Sequence, residues 1–533
     1  MPTHCSRMTH AALMFLAAMA SSSLVRADEP TTMAATPDKL SITTGTLTPP
    51  SGNPVPYTAI AGYMPLKEET GKLRARIFYT TYIVGGVAAV PPATGPAPAT
   101  APTTAPATQE AAFPPASKRP LIFLFNGGPG AASVWLHLGA VGPKKLDIPD
   151  DGSAPKPPYR VVDNPYSWLA EADLVFVDPV STGYSRAADP DKAKEFYGVK
   201  EDIDAAGEFV RLYLNKYQRW GAPIYLAGES YGTTRVAGLA PHLQNQTGVS
   251  VSGIILISTV LNFAALAPRE GNDLPYPLFL PTYAALNWYH PHGNELRKKT
   301  RSLEEVLKDA ESFAMNDYTV ALAKGSALPD DERNAVANKL AGFTGLSEAY
   351  ILQSNLRVPP GRFEKELLRD QQKIIGRFDG RLTGPAIDPP NDSVEYDPSL
   401  SGFYPAYSSA FNDYVRRTLR YDNDLPYEVL TGRTHPWNFS PGGSGSGYLY
   451  VGDDLKSAMT ANPHLRLLVC AGRYDLATPY LGVVYTLNHL NLAKELQKNI
   501  TTTFYPGGHM MYHTKENLEA LHKNVAAFLE PAK

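Results

Sequence analysis

The pentapeptide Gly228-Glu229-Ser230-Tyr231-Gly232 constrains the fold more than any other stretch of this chain. It follows a short apolar run, Ile224-Tyr225-Leu226-Ala227, and precedes a helix-compatible stretch, Thr233 to Leu243. A strand that passes into a helix through Gly-x-Ser-x-Gly has to turn sharply, and the two glycines permit the turn. The arrangement is a nucleophile elbow, which holds the serine Oγ exposed at the end of its strand.

The sequence around the elbow alternates strands with helical stretches. Leu121–Phe125, Leu174–Val177, Ile224–Ala227 and Ile254–Ile257 are apolar runs of strand length. Between the second and third, Asp202–Trp220 carries Ala205, Ala206, Phe209, Val210, Leu212 and Leu214 at helical spacing. Such alternation predicts a parallel sheet covered by helices on both faces. It resumes near the end of the chain, with strands at Leu465–Cys470 and Thr501–Tyr505 around a helix at Tyr480–Leu496. Between about Pro268 and Ser440 no such alternation is evident. Ser302-Leu303-Glu304-Glu305 is a capping-box start, and Leu303, Val306, Leu307, Ala310, Phe313 and Ala314 follow helical spacing. Further helices are expected from Asp330 to Leu340 and from Glu348 and Phe363. Residues 268–440 therefore read as an inserted, mainly helical cap between a first core part, 28–267, and a second, 441–533.

Within the first part, residues 28–56 are polar and Pro/Thr-rich and read as a loose lead-in. Tyr57–Met64 and Lys72–Val84 read as strands joined by a turn near Glu69-Thr70-Gly71. The stretch 85–120 is dominated by Pro, Ala and Thr, which cannot bury enough apolar surface to offset chain entropy. It is expected to be a flexible surface insertion.

Residues 1–27 have the form of a secretory signal, with Arg7 before an apolar core, Ala11–Ala20, and Val25-Arg26-Ala27 at the cleavage site. The apolar run is too short to span a bilayer, so no membrane span is expected, and the protein is expected to be secreted or periplasmic. Cleavage leaves 506 residues (533 − 27), with 47 basic and 52 acidic side chains and a charge of −5. That balance, with no basic stripe, argues against nucleic-acid binding. Of the two cysteines, Cys5 leaves with the signal. Cys470, in an apolar strand, is expected to be a buried structural thiol rather than a nucleophile.

A serine hydroxyl needs an adjacent base to attack a carbonyl, usually a histidine oriented by a buried carboxylate. The terminal β–α–β unit supplies both. Asp475 follows the strand ending at Cys470, and His509 follows the strand ending at Tyr505, after Gly507-Gly508. Both emerge at carboxyl ends of strands, where ligands sit in open α/β sheets. His513 is the nearest alternative base. It lacks the preceding glycines and is expected within the following helix, while His489 is expected as a packing residue in mid-helix. Acyl transfer also needs N–H donors aimed at the developing oxyanion. Tyr231, after the nucleophile, supplies one, and Asn126-Gly127-Gly128-Pro129-Gly130, after Leu121–Phe125, is placed to supply the second.

These segments, with Asp178-Pro179-Val180-Ser181-Thr182-Gly183-Tyr184-Ser185 and Gly508-His509-Met510, resemble the serine carboxypeptidase family, in a bacterial-type form. They run in the family's order and span most of the chain. The resemblance implies an α/β-hydrolase fold with a mostly parallel sheet, helices on both faces and an inserted mainly helical cap. It implies Ser230, Asp475 and His509 as catalytic residues, with the N–H groups of Gly128 and Tyr231 as the oxyanion hole. It implies that Asn126, Gly127 and Glu229 bind the terminal carboxylate of peptide substrates with a free C-terminus. A glutamate there has to be protonated to donate a hydrogen bond, so its pKa is expected to be raised. No metal or organic cofactor is implied.

The chain departs from the family pattern in several places. Leu124 stands where the family usually has Trp, and Ala131-Ala132-Ser133 replaces Cys-Ser-Ser. Ala140 occupies the place of a second Glu, and the usual disulfides are missing. His137, one helical turn before Ala140, is a candidate cation for the same carboxylate. The leading expectation is an exported serine carboxypeptidase working through an acyl-enzyme. An esterase, acyltransferase or aminopeptidase with the same triad, and a non-catalytic binding protein of this fold, stay open.

Overall fold

A computed structural model describes residues 40–85, 118–290, 301–440 and 447–530. The expected signal, residues 1–27, and nearly all of the Pro/Ala/Thr insertion lie outside the described residues.

Among the described residues, nine strands carry the main sheet. They are β1 (Ser41–Leu47), β2 (Val55–Lys67), β3 (Leu73–Val84), β4 (Leu121–Phe125), β5 (Asp173–Val177), β6 (Ile224–Glu229), β7 (Val251–Ile257), β8 (Arg466–Gly472) and β9 (Ile500–Tyr505). Their spatial order is β1-β2-β3-β5-β4-β6-β7-β8-β9, and a two-residue strand, Arg186–Ala187, pairs beside β3. The first four strands in that order pair antiparallel. From β5 to β9 every pairing is parallel.

The parallel strands are apolar throughout because both faces are covered. Ile122, Leu124, Leu174, Phe176, Ala227, Ile255 and Ile257 point into one core, shared with helices Tyr404–Arg417 and Lys515–Leu529. Leu121, Phe123, Phe125, Val175, Leu226 and Leu256 point into the other, shared with helices Val199–Lys216, Tyr231–His242 and Gly452–Ala461. The period-two alternation within each strand divides the residues between the faces. This is the α/β-hydrolase fold. The order in which strands are added reverses between β4 and β6, since β5 lies on one side of β4 and β6 on the other. Such a switch point opens a crevice at the carboxyl ends of the two strands. The crevice is bordered by Asn126 after β4 and Ser230 after β6.

Residues 28–56 are not wholly a loose lead-in. Ser41–Leu47 pairs antiparallel with β2, from Ser41 opposite Ala61 to Leu47 opposite Val55. As the outermost strand it needs only one neighbour, so its Thr/Gly-rich composition does not prevent pairing, and Leu47 alone is fully buried. Among the described residues between Pro268 and Ser440 the secondary structure is mainly helical, including Pro275–Tyr289, Leu303–Phe313 and Asp330–Thr344, with one small hairpin, Lys373–Ile375 with Thr383–Pro385. Both halves of the capping box at Ser302 and Glu305 form. The stretch is not uniform, because Tyr404–Arg417 packs on the sheet whereas the earlier helices share a separate core. The expected helix Tyr480–Leu496 ends at Asn488 and a short turn, Lys494–Gln497, follows. His489 therefore sits at the helix end, its ring stacked 3.9 Å from Tyr485, and not in mid-helix. Among the described residues no helix is long and apolar enough to cross a membrane.

Candidate active site

Ser230 sits at the turn from β6 into helix Tyr231–His242 with φ 58° and ψ −129°, a conformation L-residues rarely adopt. The flanking glycines are required by contact. A Cβ at Gly228 would lie 2.2 Å from the Gly232 carbonyl oxygen, and one at Gly232 would lie 2.5 Å from that of Phe125. The Ser230 N–H donates to the Ile257 carbonyl (3.0 Å), which ties the elbow to the end of β7. Ser230 is half-buried while its neighbours in β6 are buried.

Asp475 and His509 meet across the ends of β8 and β9. The His509 Nδ1 to Asp475 Oδ2 distance is 2.7 Å, and both side chains are buried. Asp475 is held by three further donors: the N–H groups of Ala477 (2.7 Å) and Thr478 (2.9 Å) reach Oδ1, and the Thr478 hydroxyl reaches Oδ2 (2.6 Å). His509 is fixed through its backbone, with its N–H on the Phe378 carbonyl (2.5 Å) and its carbonyl accepting from Ser258 Oγ (2.6 Å). Burial alone would lower the imidazole pKa. The adjoining Asp475 carboxylate overrides that, and the net change is upward. With Nδ1 committed to the carboxylate, Nε2 is the nitrogen left for a reacting proton.

The glycine loop and Glu229 form the other half of the crevice. A Cβ at Gly127 would lie 2.5 Å from the Tyr231 nitrogen and 2.9 Å from Ser230 Cβ, so only glycine leaves that N–H unobstructed. The first N–H of a helix has no intrahelical acceptor. Gly128 has φ +100°, open to glycine and strained for other residues. Asn126 donates from Nδ2 to Glu229 Oε1 (2.9 Å) and accepts the Leu136 N–H (3.0 Å). Tyr512 donates to Glu229 Oε2 (2.6 Å). Glu229 is 4% exposed, and burial pushes its carboxyl from 4.5 to about 7, against the pull of His509, Tyr512 and Asn126.

Below this layer, Arg235 donates to the Asn126 carbonyl (2.6 Å) and pairs with Asp202 (2.7 Å), both buried. Asp178, at the end of β5, accepts the Ser133 N–H (2.8 Å) and hydroxyl (2.7 Å). Burial raises the Asp178 pKa to about 6. The family-like segment after β5 thus anchors the chain that follows the glycine loop.

His137 does not face the carboxylate site. It is 1% exposed, stacked 4.2 Å from Phe176, with Nε2 2.7 Å from the Tyr82 hydroxyl. Burial lowers its pKa to about 3, so it is neutral and carries no cation. Ala140 and Leu124 are core residues. His513 lies in a short turn, Met511–His513, ahead of the last helix and not inside it. It contacts Tyr407 (3.0 Å) and Phe403, and burial lowers its pKa to about 3. Cys470 is buried with its thiol pKa pushed up to about 11. Among the described residues no three His, Cys, Asp or Glu side chains come together as a metal would need. The sequence reading missed Tyr512, Thr478 and the Arg377–Arg381 loop. Thr478 lies three residues after Asp475, a side-chain-to-backbone turn spacing that a search around the acid would notice. Tyr512 and the loop have no comparable signal.

The fold and its crevice are of the α/β-hydrolase type. A family model described as serine carboxypeptidase matches residues 108–266, which include β4, the glycine loop, β5 and the elbow. Serine carboxypeptidase-like 36 of Arabidopsis thaliana is 35% identical over 28% of this chain and 30% of its own length. Carboxypeptidase Y of Saccharomyces cerevisiae is 30% identical over 38% of this chain and 32% of its own. The chain thus spans about a third of the length of these curated relatives. Asp475 and His509 lie outside the stretch matched by the family model. Among solved structures, the peroxisomal alpha-beta-hydrolase Lpx1 of Saccharomyces cerevisiae aligns over 93% of this chain and 91% of that one, at 11% identity and a TM-score of 0.31.

Proposed function

We propose that the protein is an exported, bacterial-type serine carboxypeptidase, secreted or periplasmic, that removes C-terminal residues from peptides through an acyl-enzyme. Ser230 attacks the scissile carbonyl, and His509 takes its proton at Nε2 and returns it to the leaving amine. Asp475 holds the imidazole and stabilises its charged form. The N–H groups of Gly128 and Tyr231 receive the oxyanion. Water then attacks the ester with His509 again as base. Asn126, the Gly127 N–H and Glu229 hold the substrate carboxylate, and residues 268–440 act as a cap that shapes the side-chain pocket.

The observation that carries this reading is the Asn126–Glu229–Tyr512 network beside the nucleophile. A carboxyl with a pKa of about 7 keeps its proton below neutral pH and donates to a carboxylate; an ordinary glutamate would repel one. The test is release of free amino acid from a blocked dipeptide and from its C-terminal amide, across about pH 4–8. Ser230→Ala serves as control. Cleavage favoured at acid pH, poor on the amide and lost in the variant is expected.

A second reading, an esterase or acyltransferase with the same triad, is favoured by the apolar Leu124 and Ala140 and the neutral His137. Serine-dependent ester hydrolysis indifferent to a terminal carboxylate would replace the first reading with it.

A further inference from the structure

One short loop bonds to the base and to the residues on either side of the acid. The segment Arg377–Arg381 lies between the strands of the small hairpin, far in sequence from either residue. Its consecutive carbonyls reach opposite ways. The Arg377 carbonyl accepts the N–H of Leu476 (3.0 Å), the residue after Asp475, and the Phe378 carbonyl accepts that of His509 itself (2.5 Å). The next residues repeat the pattern. The Gly380 N–H donates to the Tyr474 carbonyl (3.1 Å), and Asp379 Oδ2 accepts the Gly508 N–H (3.2 Å).

The Asp379 and Arg381 side chains lock the two sides together. Arg381 donates from Nε to Asp379 Oδ1 (2.9 Å) and from Nη2 to Oδ2 (2.6 Å). Its remaining arm, Nη1, donates to the Pro506 carbonyl (2.8 Å), and its guanidinium lies 5.1 Å from the centre of the Tyr474 ring. The loop has its own anchor, because the Arg377 and Phe378 N–H groups donate to Asp397 Oδ1 (3.1 Å) and Ser399 Oγ (2.9 Å). There is no slack at the contact: a Cβ on Gly508 would stand 2.2 Å from the Phe378 carbonyl oxygen.

We propose that the Asp379–Arg381 pair is a positioning clamp that sets the separation and tilt of the Asp475 and His509 loops, with neither side chain touching substrate. Apart from this loop, the segments after β8 and β9 are joined by strand pairing from Leu467–Ile500 to Gly472–Tyr505, by the Tyr474 N–H on the Gly507 carbonyl (3.0 Å), and by the contacts of Asp475 and Thr478 with the His509 ring. Hydrogen bonds from one rigid crosspiece remove the freedom left at the tips. Displacements of about 1 Å at a catalytic group cost on the order of 100-fold in rate. The clamp belongs to residues 268–440, so part of that segment holds the reacting groups as well as covering them. The inference rests on the assignment of Asp475 and His509 as acid and base.

The test is Asp379→Asn, which keeps the side-chain size but replaces one of the two acceptor oxygens shared with Arg381 and Gly508. Two readouts are taken: steady-state kinetics on a peptide and an activated ester, and the low-field proton resonance of His509 Nδ1–H against Asp475. The clamp predicts a fall in kcat of roughly 10- to 100-fold with KM within about twofold. It also predicts a shifted or exchange-broadened proton signal. Arg381→Lys, whose single nitrogen cannot reproduce the two-point fork on Asp379, is expected to change both readouts in the same direction and carries the test if Asp379→Asn does not fold. Unchanged kcat with an unchanged proton signal overturns the clamp. A rise in KM with an unmoved signal also overturns it, by placing the pair against substrate. A wild type without serine-dependent turnover, whose proton signal still moves on Asp379→Asn, sinks the carboxypeptidase reading and leaves the clamp in place.

Discussion

Replacing Glu229 by glutamine removes one ionisation from the buried network and changes little else. The substituted amide retains the acceptor for Asn126 Nδ2, and its NH2 offers a donor to the Tyr512 oxygen, which accepts by rotating its proton. The wild-type carboxyl has a folded pKa of about 7 against an ordinary 4.5. Between those values the folded protein holds a proton that the unfolded chain has lost, so stability falls as pH rises. At ~1.4 kcal/mol per pH unit, the full loss above pH 7 is roughly 3 kcal/mol, and below pH 4.5 there is none. Asp178 and Glu364, also pushed up by burial, tilt the curve in the same direction, so the wild-type slope alone does not report Glu229. The difference between the two proteins does. Urea unfolding at about pH 5, 6, 7 and 8 is expected to show Glu229→Gln gaining on the wild type by roughly 2.5 kcal/mol across that range. KM for a free-acid peptide is expected to climb through about pH 7 in the wild type and to stay flat in the variant. Parallel stability curves would refute the reasoning, since Glu229 would then be charged at neutral pH and unable to donate to a carboxylate.

Three further outcomes follow from the geometry. Gly127→Ala places a methyl 2.5 Å from the Tyr231 nitrogen, and kcat is expected to fall by about 100- to 1,000-fold in burst kinetics with an activated ester, as for loss of one oxyanion donor. Arg235→Met leaves Asp202 buried without its partner and is expected to destabilise the protein by about 3–5 kcal/mol in denaturant titrations. The ring protons of His137 and His513 are expected to hold constant NMR shifts from about pH 5 to 8, because burial keeps both imidazoles neutral down to about pH 3.

The parallel strands were readable because burial on both faces leaves near-continuous apolar runs, as in Leu121–Phe125, whose bounds the structure reproduces. The elbow was readable because backbone sterics demand its glycines. Ser41–Leu47 was not, since an outer strand is stabilised by its one neighbour and carries little hydrophobic signal of its own. His137 shows the limit of spacing arguments. The turn expected between it and Ala140 is a π-helix, His137–Val141, with i→i+5 bonding, so a three-residue offset does not stack the two, and the ring turns into the sheet core against Phe176 and Tyr82. Tyr512 and Asp379 reach Glu229 and Gly508 across 283 and 129 residues of chain, and nothing local in the sequence marks them.

The placement of the reacting groups along the chain has a consequence for biosynthesis. Ser230 is made 279 residues (509 − 230) before His509 and 245 (475 − 230) before Asp475. At about 5–20 residues per second, the longer interval is roughly 14–56 s. On the proposed assignment, the growing polypeptide carries throughout it an elbow serine with no base to activate it. The crevice can become reactive only when β8 and β9 have added to the sheet edge and the Arg377–Arg381 loop has closed over both. The proposed assignment therefore ties hydrolytic competence to the addition of those two strands, and predicts that a ribosome-stalled or proteolytically clipped chain lacking them is inert towards peptides.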